Sequence, residues 1–434
     1  MNWNIIKHIF FSLTVVLLVA APAPAVDHYV SPAGTNNPPY TNWADAATNI
    51  QWAVNAATNG ETVLVSNGTY YLTNQVDIAA AITCASVNGR EVTIVDGNNY
   101  GGKPVTNRCF YITAAATLDG FTIRNGVSTN SGGGVFCSTG TKVQNCRITS
   151  CVVSNPNASA ILRGGGIYKG VVSNCEISAN VNYNRWGGGM YLTSGDKAVK
   201  CIVVSNTIPL VSDENHGGGI CAGATAIIDD CIVSWNQAKT PSYGGGVDCG
   251  AGGTILRNSL ICNNSAISGG GVDVYYCWAT IQNCTIASNT GTYGGGIFSV
   301  CSYPQTTYVE NVVVYYNTAA SGSNIYVSVP GYAGLGTGSY NIVNSCIAST
   351  NAFPTNLVAG YYYAGNIESN PQFVDFAGGN YRLNANSPCV NAGSNEDWMV
   401  NSVDLDGMQR IRYGAVDMGA YEAIYNGTIY KFGP

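Results

Sequence analysis

Seven Gly-Gly-Gly triplets, beginning at Gly132, Gly164, Gly187, Gly217, Gly244, Gly269 and Gly294, recur at intervals of 32, 23, 30, 27, 25 and 25 residues. A period in the twenties is too short for a helix-pair repeat. It matches one coil of a parallel β-solenoid, in which each turn of chain stacks its strands on the turn before. The expected fold is therefore all-β, a single-stranded parallel β-helix of roughly twelve coils, about 55 to 60 Å long at strand spacing.

Two further columns keep the same period. Cys146, Cys175, Cys201, Cys231 and Cys284 each stand two residues before an aliphatic residue, and Ser259 and Val312 fill the same slot in other coils. Strand alternation points Cys and aliphatic to one side, which predicts stacked interior thiols acting as small hydrophobes in place of a disulfide framework or a zinc site. Five residues past each slot stands an asparagine: Asn180, Asn206, Asn236, Asn264, Asn289 and Asn317, with Cys151 in the coil that departs. Stacked amides at strand spacing bond to one another and to the turn backbone, so this column reads as a corner ladder. The glycines are expected at another corner, at positive φ or where backbones pack closely. With no helix or Lys-Ser/Thr after them, they do not read as phosphate loops.

Residues 1–25 read as an export signal: Lys7, an apolar run from Ile9 to Ala21, then Ala23-Pro24-Ala25 before a cut ahead of Val26. Removing 25 residues from 434 leaves 409, and losing Lys7 moves the formal charge from -6 to -7. No second long apolar stretch follows, so no transmembrane segment is expected after cleavage, and the product is expected to be secreted or at the bacterial surface. The 18 basic residues are scattered, which excludes nucleic acid as a partner class, since that binding relies on clustered Lys and Arg.

The chain divides into the signal (1–25), an N-terminal cap with an amphipathic helix (26–60), the β-helix (61–374) and a module of different texture (375–434). Thr41 or Asn42 is expected to cap the helix, with Trp43, Ala47, Ile50, Val54 and Ala57 on its apolar side and Gly60 beyond its end. The last segment carries Asn380-Tyr-Arg-Leu383, Ser387-Pro-Cys-Val-Asn-Ala-Gly393, Asp404-Leu-Asp-Gly407 and Val416-Asp-Met-Gly-Ala-Tyr-Glu422. With these motifs the chain resembles exported bacterial right-handed parallel β-helix proteins bearing a choice-of-anchor Q module. The triplet-aliphatic and aliphatic-x-x-Asn patterns also resemble repeats of polymorphic outer-membrane adhesins, which end in a membrane β-barrel not expected in this chain. These resemblances imply a cell-surface, adhesin-like role.

The residue after each inward aliphatic should face outward, and that column reads Phe136, Tyr168, Tyr191, Cys221, Asp248, Asp273, Phe298. Asp248 and Asp273, on successive coils, are expected about 4.8 Å apart. Such a pair reads as solvated surface acids, as a calcium or carbohydrate contact, or as the acid pair of a retaining glycosidase. Tyr168 and Tyr191, with Trp186, Tyr243 and Tyr293 just before triplets, offer flat faces to sugar rings or merely stiffen the sheet. Asp404 and Asp406 are candidates for calcium, or for a self-bonded Asp-x-Asp-Gly turn. Asp229-Asp230 reads as structural, and His216 lacks the Gly-His-Gly context of a polygalacturonase. No complete catalytic set emerges, and no cofactor is expected unless calcium binds. The sequence therefore favours non-enzymatic binding of an extracellular polysaccharide or cell-surface glycan. The competing expectation is a polysaccharide lyase or glycoside hydrolase using Asp248 and Asp273.

Overall fold

A computed structural model describes residues 25–98, 107–156, 161–209, 214–301, 305–328, 339–348 and 365–424. The expected export signal, Ala25 apart, lies outside the described residues. The described chain is a right-handed parallel β-helix built from three long sheets. A rear sheet of twelve strands runs from Asp27–Val30 to Ser339–Val343, a flank sheet of eleven from Gly68–Tyr71 to Cys346–Ile347, and a front sheet of ten from Val76–Ile78 to Ile325–Ser328.

One coil shows how the sequence closes a turn. Met190–Leu192 lies in the front sheet, Lys197–Val199 in the rear and Ile202–Val204 in the flank. Thr207–Ile208 and Asn215–His216 then form two short corner strips before Ile220–Ala222 rejoins the front. Met190, Leu192, Ala198 and Val203 are fully buried, as alternation along each strand requires. The next coil lies in register, with Met190 opposite Ile220, Ala198 opposite Ile228 and Val203 opposite Val233.

Each glycine of a triplet has its own reason. Gly187 takes φ +72°, in the left-handed region that favours glycine. A Cβ on Gly188 would stand 2.2 Å from the carbonyl oxygen of Gly218, and one on Gly189 would stand 2.9 Å from the Asn206 amide. The triplet thus bends the chain, lets successive coils touch, and seats the next corner's asparagine.

That asparagine belongs to a continuous ladder. Asn180 Nδ2 donates to Asn206 Oδ1 at 3.0 Å, Asn206 to Asn236 at 2.9 Å, and Asn236, Asn264 and Asn289 each to the next amide at 3.0 Å. Each of these Oδ1 atoms also accepts the backbone N–H of the asparagine before it, and each Nδ2 also donates to a flank-sheet carbonyl such as Val203 O. The amides are fully satisfied without water, which is what their burial demands. The cysteines stack beside them: the described thiols are free and buried, and Sγ of Cys175, Cys201 and Cys231 lies 3.2 to 3.4 Å from the carbonyl two residues earlier.

The helix differs from expectation. It spans Ile50–Ala56 and is capped by Asn49, whose side chain accepts from Gln51 N. Residues 41–49 find other partners: Asn42 Oδ1 accepts from Asp45 N, and Ala47 bridges to Val30 in the manner of a strand. Trp43 stays 44% exposed, its ring edge-on to Tyr29. Ile50, Ala53 and Val54 join the β-helix core. No helix among the described residues is long and apolar enough to cross a membrane.

After the coils, the antiparallel pair Phe373–Asp375 and Asn380–Leu383 starts a segment that folds back along the outer face of the flank sheet. Tyr381, Ala420 and Tyr421 pack on Leu260, Cys262 and Ala287, while Leu383, Met418 and Ala423 pack with Val313 and Cys346. Arg410, fully buried, bonds to Glu422 and to the turn residue Asn258.

Replacing Asn236 with Ala should destabilise the protein by about 3 kcal/mol or more, because Val203 O and Asn206 N lose their partners in the interior. Urea unfolding checks this against Asn88→Ala, an exposed amide whose loss should cost under about 0.5 kcal/mol.

Candidate active site

The outward column of the front sheet is continuous in register: Tyr111, Phe136, Tyr168, Tyr191, Cys221, Asp248, Asp273, Phe298 and Tyr326. A second column runs beside it on the corner strip preceding each triplet, through Arg163, Trp186, His216 and Tyr243. The positive-φ glycine between them turns the chain sharply, so residues five apart lie side by side. Trp186 and Tyr191 accordingly face each other with centroids 6.1 Å apart and planes at 24°.

Asp248 and Asp273 do sit opposite one another on neighbouring strands. They are not surface acids, however, for both are fully buried. The front sheet does direct them outward, but side chains of the corner strip close over them. His216 Nδ1 lies 2.7 Å from Asp248 Oδ2, and the Cys221 thiol donates to the same oxygen from 3.8 Å. Tyr243 stacks on His216 at 5.1 Å and meets Tyr275 at 4.5 Å, and Phe298 follows in the column. As placed, neither carboxylate reaches solvent to attack or protonate a sugar, which a retaining glycosidase pair must do.

Burial instead acts on the pair's charge. Burial, then the charge of Asp248, pushes the Asp273 carboxyl far above the ordinary carboxylate range. Asp248 Oδ1 and both oxygens of Asp273 have no hydrogen-bond partner among the described residues. A neutral Asp273 removes the repulsion that two carboxylates in one site would otherwise suffer.

His216 completes a relay to the surface, with 13% of its side chain exposed. Burial works against its charging, but the Asp248 carboxylate and its hydrogen bond outweigh that and raise the imidazole pKa; Glu214 adds to the rise and Arg185 opposes it. With Nδ1–H donating to Asp248, Nε2 carries the lone pair and lies 3.9 Å from the exposed Glu214. Tyr243 Oη donates to Glu214 at 3.4 Å, and burial raises the tyrosine's pKa so that it keeps its proton. Arg163 lies over Trp186 and Tyr191, 4.7 and 5.1 Å from their centroids.

The remaining candidates lie elsewhere. Tyr168 and Tyr191 stack at 5.7 Å and 13°, half-exposed in the front column, while Tyr293 lies further along beside Tyr326. Asp404 Oδ1 accepts from Asp406 N and Met408 N, and its Oδ2 accepts from Glu422 N. Asp406 holds Arg382 through two nitrogens, and Asp417 accepts from Asn391 N and Ala423 N. This is the self-bonded turn weighed against calcium in the sequence. No group of three His, Cys, Asp or Glu suited to a metal occurs among the described residues. Asp229 pairs with Arg257, and Asp230 accepts from Asn258 at a left-handed corner, so both are structural.

The sequence set His216 aside for want of a Gly-His-Gly context. Its position directly before Gly217 nonetheless places it in the same column as Trp186 and Tyr243.

No protein-family model matches the sequence, and no curated protein matches it. Solved structures similar to the fold include a pectate lyase, 16% identical, with 92% of this chain and 97% of that one covered and a TM-score of 0.49. An alginate lyase is 10% identical over 88% of this chain and 59% of that one, with a TM-score of 0.44. The catalytic domain of an α-1,3-glucanase is 13% identical over 80% and 70%, with a TM-score of 0.42.

The raised His216 pKa stabilises the fold fully below about pH 6.5, and that contribution fades as pH rises through the folded value. An NMR titration should place the wild-type imidazole above about 6.5. In Asp248→Asn it should fall below that value, since burial and Arg185 then act unopposed except by Glu214. An unchanged pKa would contradict the relay.

Proposed function

We propose that this protein is a polysaccharide lyase that cleaves a uronate-containing glycan at His216. The observation carrying this reading is a partly exposed histidine backed by a buried carboxyl pair at a break in an aromatic column. A passive binding surface has no use for two buried acids, whose desolvation is costly. Perturbed groups of this kind concentrate at functional sites.

Elimination fits the available groups better than hydrolysis. His216 Nε2 takes the proton on the carbon next to the uronate carboxylate, with Asp248 steadying the imidazolium as it forms. The C–H electron pair becomes a carbon–carbon double bond, and the neighbouring C–O bond breaks. The departing oxygen takes a proton from the Tyr243 hydroxyl, which burial keeps protonated. Arg163 and Arg185 supply positive charge beside the carboxylate as negative charge builds on it. The aromatic faces of Trp186, Tyr191 and Tyr168 hold the sugar rings. An export signal in residues 1–25 would place this chemistry outside the cytoplasm. The binding role favoured by the sequence rests on the aromatic column alone and would need no His216.

Alginate and polygalacturonate assays monitored for ultraviolet-absorbing unsaturated ends should show activity that His216→Gln lowers by about 10²-fold or more. The rising limb of the pH profile should lie above about pH 6.5, because His216 must be neutral to accept the proton. New reducing ends without unsaturation, or full activity in His216→Gln, would overturn the proposal.

A further inference from the structure

The aromatic column extends on both sides of the acids. Tyr111, Phe136, Tyr168 and Tyr191 precede Cys221, and Phe298 and Tyr326 follow Asp273. At its N-terminal end the column floors a cleft of about 650 Å³, with Gln75, Asn130 and Ser131 among the polar groups of its rim. Rings in this floor stack at 4.8 Å between Tyr111 and Phe136 and at 5.0 Å between Phe136 and Tyr168.

Arg108 locks that floor. Its Nε donates to Gly132 O at 2.7 Å, Nη1 to Gln75 Oε1 at 3.1 Å, and Nη2 to Ser128 Oγ and Ser131 O at 2.9 and 2.8 Å. Its guanidinium carbon stands 5.1 and 5.5 Å from the Tyr111 and Phe136 centroids. Rings fixed in this way have little freedom left to lose when a ligand stacks on them, and preorganisation of that kind favours binding. Five in-register steps separate Tyr111 from Asp248, about 24 Å at strand spacing.

We infer that the Arg108 cleft is a distal glycan subsite, and that the substrate is a long chain lying along the helix axis and cut internally. The inference rests on the elimination reading for the cut, but binding in the cleft is separable from it. A uronate dimer placed at His216 falls short of Phe136, three in-register steps or about 14 Å away, whereas a longer chain covers both. Aromatic residues on either side of the acids let the chain continue in both directions, so the reacting bond is an internal one.

The test is affinity electrophoresis of His216→Gln, which leaves the polymer intact, in gels containing alginate or polygalacturonate. The protein should be retarded, and adding Phe136→Leu with Tyr168→Leu should weaken retention about tenfold. Tyr168→Phe, which keeps the flat ring and the fold, should retain it, and uronate dimers should not compete. Unaltered retention in the double Leu variant, dimers competing as well as polymer, or no retardation on either polymer would overturn the inference. With active protein, early products should be long oligomers; release of dimers alone would overturn internal cutting. Retention without unsaturated product leaves the cleft standing and removes the elimination reading.

Discussion

The asparagine ladder fixes which residue of each coil lies above which. A parallel stack built from backbone bonds and aliphatic contacts alone could slip, since Val, Ile and Leu pack almost interchangeably. An amide that must take one hydrogen bond from the coil before and give one to the coil after cannot slip without leaving buried donors unpaired. From Asn180 to Asn317 that condition is met at every step. The triplet glycines leave room for it, since a Cβ on Gly189 would collide with the Asn206 amide.

Register turns a linear pattern into vertical files, and those files build the site. One file brings Asp248 and Asp273 together; the other lays His216 beside them. Neither acid would survive in that position as an isolated charge. Their burial is tolerated because it drives Asp273 toward its neutral form and because Asp248 receives bonds from His216 and Cys221. On another face, the segment from 373 to 424 covers apolar residues of the flank sheet, with the buried Arg410 tying its turn to Asn258 and Glu422.

Much of the fold was legible in the sequence because its determinants repeat. Triplets, cysteines and asparagines at constant offsets give the coil, the inward faces and the corners directly. The helix was less so: the apolar spacing from Trp43 is genuine, but Asn36 and Asn42 capture the backbone of Thr48 and Asp45, so helical bonds begin only at Asn49. At the site, the pairing of Asp248 with Asp273 followed from alternation, while their burial did not. Alternation gives the side of the sheet to which a residue points, not what the next strip of chain lays over it. His216 was set aside on its local context, while its link to Asp248 crosses 32 residues and a glycine turn.

Stacking places Asp273, whose carboxyl burial and the Asp248 charge drive toward the neutral form, against Asp248 beneath His216. Infrared spectroscopy at neutral pH tests it directly, since a protonated carboxyl has a carbonyl stretch well apart from that of a carboxylate. Glu422, pushed up to about 8 by burial, contributes a protonated carboxyl of its own, so the predicted result is a protonated-carboxyl band that loses intensity in Asp273→Asn. A band unchanged in Asp273→Asn would contradict it.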